Sequence, residues 1–235
     1  MKIAIDAGHG YTTSGKRTPD GMREYEFNRA AANEMRDLLA GYENVSILFT
    51  HSDTRDVPLK ERTDKANAAK ADVFVSIHAN AFGKGTAWNN VKGIETYAHD
   101  SKPQESFALA GAVQKKLIEK TKREDRGVKL ANFHVLRETN MTAILIECGF
   151  MTNQEEAQAL KSAAYRKTCA QAIVEALAAF YKLKKKLAPD PAPAPSPEPE
   201  KLYKVQVGAF AEKENAVALA NELKNRGYSV IVLYE

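Results

Sequence analysis

The stretch Lys2-Ile-Ala-Ile-Asp-Ala-Gly-His-Gly10 opens the chain and predicts how the rest is organised. Its isoleucines, Ile3 and Ile5, lie in a short apolar run that is typical of a buried strand. The run ends in a turn where glycines flank His9, so the backbone can turn sharply and leave the imidazole uncrowded. Open α/β sheets build their sites just beyond the carboxyl ends of strands. An ordinary loop histidine is the alternative that this stretch alone leaves open.

Two later apolar runs end in the same way. Residues 72–77 read Asp-Val-Phe-Val-Ser-Ile and lead into His78, and residues 143–146 read Ala-Ile-Leu-Ile and lead into Glu147. Runs of this length and composition predict strands. If the three strands are parallel, His9, His78 and Glu147 lie at the same edge of one sheet. The pattern therefore predicts an α/β fold.

The residue types at this edge favour a hydrolytic metal site. Catalytic Zn²⁺ uses three protein ligands and keeps one position for water. Two histidines, His9 and His78, together with carboxylates suit such a site. Three unrelated strand ends remain the alternative at this point.

A set of short motifs makes the interpretation specific. They occur in the order Asp6-Ala-Gly-His-Gly10, Gly21-Met-Arg-Glu24 with Asn28, Leu59-Lys-Glu-Arg62 with Ala66-Asn67, Ser76-Ile-His-Ala-Asn80, Gly93-Ile-Glu-Thr-Tyr97, Ala131-Asn-Phe-His-Val-Leu-Arg137 and Glu147-Cys-Gly-Phe150. In these stretches the chain resembles the zinc-dependent N-acetylmuramoyl-L-alanine amidases of bacterial cell-wall lysis. The resemblance covers about residues 1–180. It implies a mostly parallel, twisted sheet flanked by helices, like that of zinc exopeptidases and phosphorylases.

The resemblance also implies roles for individual residues. Those matching His9, Glu24 and His78 bind one Zn²⁺ per chain, and the one matching Glu147 is catalytic. The implied reaction is hydrolysis of the amide that joins N-acetylmuramic acid to L-alanine in peptidoglycan. Zn²⁺ would lower the pKa of its water toward about 7 and polarise the carbonyl. Glu147 would take the proton from water and pass it to the leaving nitrogen.

Spacing alone leaves two points at the site open. Glu24 and Glu26 both fit as first-turn acids of the helix predicted over 24–40, where the helix dipole favours them. The family pattern Gly-x-x-Glu selects Glu24 through Gly21. Cys148 directly follows Glu147 and offers an alternative thiol nucleophile, although Glu147 explains the position without it.

Substrate contacts are predicted less directly. Asn80 lies in a matching motif beside His78, and Arg137 is a candidate for holding a carboxylate of the stem peptide. The single tryptophan, Trp88, would either stack on a sugar or serve packing. His134 has the same two alternatives, the substrate groove or packing.

The bulk composition excludes some classes of protein. The net charge of +4 fits an anionic wall polymer and ordinary surface charge alike. No interleaved basic and aromatic motif predicts nucleic-acid binding. The two cysteines are too few for a disulfide framework. No run is long enough to span a membrane, so membrane insertion is not expected.

Two further segments follow the catalytic domain predicted over residues 1–183. Residues 184–200 are lysines followed by a proline-rich run, which is typical of a semi-rigid linker. Residues 201–235 resemble half of a sporulation-related (SPOR) peptidoglycan-binding repeat. They predict a small βαβ segment with strands over 203–208 and 229–234 and a helix over 213–226. Gln206 and Phe210 match the glycan-facing residues of the repeat.

A lone βαβ half leaves a strand edge unpaired and rarely supports its own core. We therefore expect a homodimer in which two copies of residues 201–235 form the full sheet about a two-fold axis. A truncated repeat that stays partly disordered is the alternative.

The first strand begins almost at Met1, with no apolar segment of the secretory type before it. We therefore expect an enzyme that is made in the cytoplasm and reaches the wall through a holin-made lesion or after cell lysis. The sequence leaves open whether a phage or its host encodes it. Three alternative functions remain: a zinc exopeptidase of similar architecture, a non-catalytic wall-binding protein and, as the weakest alternative, a nucleic-acid binder.

Overall fold

The computed structural model describes residues 1–13, 16–101, 104–186 and 205–233. The chain divides into two compact units, Met1–Lys186 and Leu187–Glu235, and each is described by itself. Most of the predicted linker, residues 187–200, lies outside the described residues, so its extent stays a prediction.

A six-stranded sheet in the order β2-β1-β3-β6-β4-β5 forms the centre of the first unit. Its strands are β1 (Lys2–Ala7), β2 (Ser46–Phe49), β3 (Val73–Asn80), β4 (Ile94–Ala98), β5 (Asp125–Leu130) and β6 (Thr142–Phe150). Neighbouring strands are parallel except for β4 against β6. The predicted mostly parallel sheet is therefore confirmed, and β1, β3 and β6 end at one edge of it.

Helices cover both faces of this sheet. They are α1 (Glu24–Leu39), α2 (Leu59–Ala68), α3 (Gln104–Thr121), α4 (His134–Arg137), α5 (Gln154–Lys161) and α6 (Ala163–Phe180). Ile3 and Ile5 of β1 belong to the larger apolar cluster, which includes residues of α1, α3 and α6. Ala4, between them, belongs to a second cluster on the opposite face with Leu136 of α4. Because both faces are buried, the inner strands are continuous apolar runs.

No strand is predicted for the charged segment 122–129, yet β5 begins within it. It pairs only with β4 and is therefore an edge strand. An edge strand exposes side chains and tolerates charge, which removes the apolar pattern that identifies inner strands. Gly127 has a φ of +76°, and the pairing register shifts between Ile94 and Thr96. This irregularity also weakens the sequence pattern of a strand.

In the second unit only the predicted helix is formed among the described residues. Helix α7 spans Lys213–Asn225. The flanking strands predicted over 203–208 and 229–234 are wrong for the parts that the structure describes, which carry no sheet pairing. Val205 is 84% exposed and Ile231 is 83% exposed. Alternating apolar residues form a strand only where a neighbour supplies hydrogen bonds, and these described residues have no such neighbour.

None of the helices in the described part of the chain has the length and apolar character needed to cross a lipid bilayer.

Candidate metal centre

His9 follows β1 in a strained turn at the edge of the sheet. Its φ is +65°, a left-handed conformation that is uncommon outside glycine and that clusters at functional sites. A Cβ atom added at Gly8 would lie 2.0 Å from Cε1 of His78. Glycine at position 8 is therefore what allows the His78 ring to lie against this turn.

Glu24 joins the two histidines from the start of α1. Nε2 of His9 lies 3.1 Å from Oε2 of Glu24, and Nδ1 of His78 lies 2.8 Å from Oε1. Donor atoms of the three residues all lie within 4.8 Å of one another. The amide of Asn28, one turn further along α1, donates to Glu24 and to the carbonyl of Gly8. The helix therefore fixes the carboxylate between the imidazoles, and Glu26, the other first-turn acid, is exposed.

Glu24 and His9 shift each other's pKa values. Burial pushes the pKa of Glu24 upward, but hydrogen bonds with His78 and His9 outweigh it and lower the pKa to about 2. The hydrogen bond to Glu24 raises the pKa of His9 against the opposing effect of burial. The carboxylate is therefore ionised throughout the neutral range, as a metal ligand must be.

The donor set fits a zinc ion. Two imidazole nitrogens and one carboxylate oxygen are the ligand types of catalytic zinc sites. His9 is 34% exposed, so the cluster is open to solvent and substrate on one side. Asn28 orients Glu24 from behind, the kind of outer contact that holds metal ligands in place.

Glu147 lies on β6 directly opposite His78 on β3. Its Oε2 is buried and has no hydrogen-bond partner within the described residues. Burial raises the pKa of Glu147 well above its ordinary value, and the charges of Glu24 and Glu95 act in the same direction. An unpaired carboxylate that readily holds a proton is suited to acid–base work beside the cluster.

A buried ion pair next to the turn of His9 was not predicted from the sequence. Arg62 of α2 and Asp6 of β1 are 2% and 1% exposed, and their side chains meet at 2.9 Å. Arg62 also donates to the main-chain oxygens of Val57, Ala7 and His9. It therefore ties α2 to the turn that carries His9. An aspartate inside an apolar strand was the available signal, since such a charge requires a partner.

Glu95 is a second residue that the sequence analysis did not single out. It is 3% exposed, lies opposite Glu147 on β4, and accepts a hydrogen bond from Asn80 at 2.7 Å. Arg126 and Lys129 of β5 donate to its other oxygen. The predicted substrate residue Asn80 is thus held at the site edge next to two cations.

The other predicted residues are less directly placed. Arg137 donates to Glu138 and to Asn132, so its guanidinium is engaged locally. His134, also on α4, has a buried Nε2 without a hydrogen-bond partner in the described residues. Trp88 is 38% exposed.

Cys148 does not have the environment of a thiol nucleophile. It is fully buried, and a hydrogen bond with Cys169 together with burial raises its pKa well above the ordinary value. A reactive cysteine requires the opposite shift and access to substrate.

In the second unit, Gln206 is exposed and lies near the carbonyl of Gly208, and Phe210 is 46% exposed. Their role in wall binding stays a prediction.

The chain is similar to known cell-wall enzymes. A family model described as N-acetylmuramoyl-L-alanine amidase matches residues 3–179, and a SPOR domain model matches residues 175–234. N-acetylmuramoyl-L-alanine amidase CwlM of Bacillus licheniformis is 36% identical over 235 residues, which are 100% of this chain and 85% of the relative. The sporulation-specific N-acetylmuramoyl-L-alanine amidase of Bacillus subtilis (strain 168) is 35% identical over 99% of this chain and 84% of its own.

Solved structures agree with the sequence comparison. The N-acetylmuramoyl-L-alanine amidase from Clostridium difficile 630 has a TM-score of 0.73 and 35% identity, over 77% of this chain and 96% of that one. The family model spans the sheet from Ile3 onward and every residue of the site described above. The chain therefore belongs to the N-acetylmuramoyl-L-alanine amidase family, whose members hydrolyse peptidoglycan, and it carries a SPOR domain.

Proposed function

We propose that the chain is a zinc-dependent amidase in which His9, Glu24 and His78 hold one Zn²⁺ and Glu147 is the acid–base residue. The observation that carries the proposal is the buried, unpaired Oε2 of Glu147 beside a cluster of three donor residues. Bound Zn²⁺ would supply a Lewis acid that polarises the scissile carbonyl and acidifies a water.

Glu147 moves the proton in this proposal. Its carboxylate accepts the proton of the attacking water, and its raised pKa lets it hold that proton. It then donates the proton to the nitrogen of L-alanine as the C–N bond breaks. Amide nitrogen is a poor leaving group, so its protonation is required for the bond to break. The bond proposed to break is the amide between the lactyl group of N-acetylmuramic acid and L-alanine.

The test compares Glu147→Gln with the native chain. We expect this variant to bind zinc normally, because Glu147 is not among the three proposed ligands, and to lose about 10²–10⁴-fold in hydrolytic rate. Mass spectrometry of digested peptidoglycan identifies the bond that the native chain cuts, and elemental analysis counts the zinc. Glu24→Gln should lose zinc, whereas Glu26→Gln, the exposed acid of the same helix turn, should keep it.

Two results would overturn the proposal. One is full activity of Glu147→Gln at normal zinc content. The other is release of peptides with an amino terminus other than L-alanine, which would favour an exopeptidase or a different wall bond.

We also propose that the second unit joins two chains. Its described apolar residues are unusually exposed: Val205 84%, Val207 64%, Ile231 83% and Leu233 66%. Pairing with a second copy would bury these side chains and supply the strand partners that they lack. Two catalytic units on one wall-binding module would then act at a raised effective concentration.

Sedimentation of the full chain tests this proposal. The native chain should sediment as a dimer at micromolar concentration, and Val205→Asp with Ile231→Asp should sediment as a monomer. Lys213→Asp, on the exposed start of α7, serves as the charge control. A monomeric native chain would support the truncated-repeat alternative.

Release to the wall by lysis stays a prediction, and its test is whether healthy cells export the intact protein.

A further inference from the structure

An open groove of about 850 Å³ lies where the loop of residues 81–93 meets the start of α5. Its volume is within the range of about 300–1,000 Å³ that small-molecule sites occupy. Its lining includes one aromatic ring, several amide side chains, one lysine and one glutamate: Trp88, Asn90, Lys92, Asn153, Gln154, Glu155 and Gln158. None of these residues belongs to the cluster of His9, Glu24 and His78.

The loop that carries Trp88 is held in a fixed position. The amide of Asn89 donates to the carbonyl of Thr152 at 2.8 Å, and the amide of Phe82 donates to the Thr152 hydroxyl at 3.0 Å. The amide of Gly93 donates to the buried carboxylate of Glu156 at 2.9 Å. Three points of the loop are thus tied to the segment after β6. A surface held in this way is preorganised, which lowers the entropy cost of binding a ligand.

Trp88 presents its ring at the surface of this rigid loop, where it is 38% exposed. The face of an aromatic ring carries partial negative charge, and its edge carries partial positive charge. The C–H faces of pyranose sugars are apolar and slightly positive, so they stack on such a ring. An exposed indole on a fixed backbone is therefore a suitable platform for a sugar.

The polar groups around Trp88 match a sugar better than an ion. Side-chain amides both donate and accept hydrogen bonds, as do hydroxyl and acetamido groups. Gln154 and Gln158 are exposed one turn apart on α5, so they present their amides on one side of the helix. The carboxylate of Glu155, which also lines the groove, is paired with Arg123 at 2.5 Å. The groove thus combines neutral hydrogen-bonding groups with Lys92 and a paired acid.

The groove lies at the same edge of the sheet as the candidate metal centre. Phe82 follows the end of β3, which carries His78, and Asn153 follows the end of β6, which carries Glu147. The main chains of these two strand ends are joined where the amide of Met151 donates to the carbonyl of Asn80 at 2.7 Å. A polymer held in the groove would therefore lie at the same edge of the sheet as the reacting bond.

From these observations we infer that the groove is a binding site for an N-acetylated glycan, in which Trp88 stacks on a sugar ring and Asn90, Gln154 and Gln158 bind its polar groups. The ligand class rests on the proposed function, because a muramoyl amide is attached to such a glycan. The site would hold the sugar strand of the substrate and not its peptide.

The single tryptophan makes the test direct. Because Trp88 is the only tryptophan of the full chain, its emission reports on this groove alone. We expect titration with the tetramer of N-acetylglucosamine to change the emission in a saturable way. Asn90→Ala with Gln158→Ala, which keeps the fluorophore, should raise the apparent Kd at least fivefold. Gln104→Ala, which removes an exposed amide at the start of α3, is the matched control and should leave the response unchanged.

Kinetics on intact peptidoglycan give a second readout. Trp88→Ala should raise KM with little change in kcat, because the ring stabilises the bound substrate and the transition state equally. Trp88→Phe should restore part of the affinity, since it keeps an aromatic face.

Three results would overturn the inference. The first is an emission that stays constant up to millimolar tetramer. The second is a response to the free stem peptide in place of the glycan. The third is a response that Phe210→Ala abolishes, which would move the glycan to the SPOR segment. Since the titration needs no hydrolysis, a chain that binds glycan and yet cuts another bond would refute the proposed function and leave this site standing.

Discussion

Removing the guanidinium of Arg62 should destabilise the first unit and loosen the proposed metal centre together. This side chain is 2% exposed and donates to Asp6 and to the main-chain oxygens of Val57, Ala7 and His9. The change Arg62→Met keeps much of the apolar stem but removes every one of these donors. Asp6 would keep only its two hydroxyl donors, Thr50 and Ser76.

The size of the effect follows from burial. Removing one partner of a buried ion pair leaves an uncompensated charge and costs about 3–5 kcal/mol. With a urea slope of about 2 kcal/mol/M, the midpoint of unfolding should fall by roughly 2 M. Arg55→Met is the matched control, because Arg55 pairs with Glu61 at the surface and is 55% exposed. Exposed pairs contribute only about 0–1 kcal/mol.

Urea unfolding followed by Trp88 emission measures the first unit selectively, since no other tryptophan is present. Adding Asp6→Asn to Arg62→Met should recover part of the loss, because the charge left behind is removed. The zinc content of Arg62→Met after dialysis, compared with that of the native chain, measures whether the turn of His9 still holds its ligand in place. The reasoning is refuted if Arg62→Met unfolds within about 1 kcal/mol of Arg55→Met, or if it is destabilised and the double variant recovers nothing.

Three further outcomes follow from the same geometry. Gly8→Ala should weaken zinc retention, because the new Cβ would lie 2.0 Å from the His78 ring; Gly111→Ala, where a Cβ meets nothing within 4 Å, should not. Burial acts to raise the pKa of Asp6, but Arg62 opposes this effect and helps to hold that pKa below its ordinary value. The ionised Asp6 therefore stabilises the fold at pH values above its unfolded pKa of about 3.9, and this stabilisation is lost as pH falls through the folded pKa. Unfolding midpoints below pH 4 should therefore drop less in Asp6→Asn than in the native chain. Cys148 should resist alkylation in the folded chain and react after unfolding, whereas rapid native labelling accompanied by loss of activity would reopen the thiol mechanism.

Sequence reasoning identified the candidate site because strand ends carry local signals. An apolar run that leads into an ionisable residue indicates the end of a buried strand, and the parallel arrangement then brings distant ends together. His9, His78 and Glu147 each follow this rule, and the structure places them at one edge. Glu24 was different, because it begins a helix where any acid is favourable, and only the family pattern separated it from Glu26.

The missed residues are those whose role depends on partners far along the chain. Asp6 and Arg62 are 56 positions apart, and neither position alone reveals the pair. Glu95 likewise acquires its role from Asn80 and from two cations of β5. The strand β5 was itself not predicted, because its charged residues lack the apolar pattern of a strand.

The second unit shows why periodicity can mislead in the other direction. Val205 and Val207 alternate with polar residues as a strand should, yet both are exposed and lack sheet pairing in the described chain. Alternating apolar and polar residues indicate only that one face of an extended segment is apolar. A strand also needs a neighbour to accept and donate main-chain hydrogen bonds. In the first unit β5 has such a neighbour and forms despite its charges. Pairing, more than composition, therefore decides which extended segments of this chain become strands, and the dimer proposal is in effect a proposal about where the missing neighbour comes from.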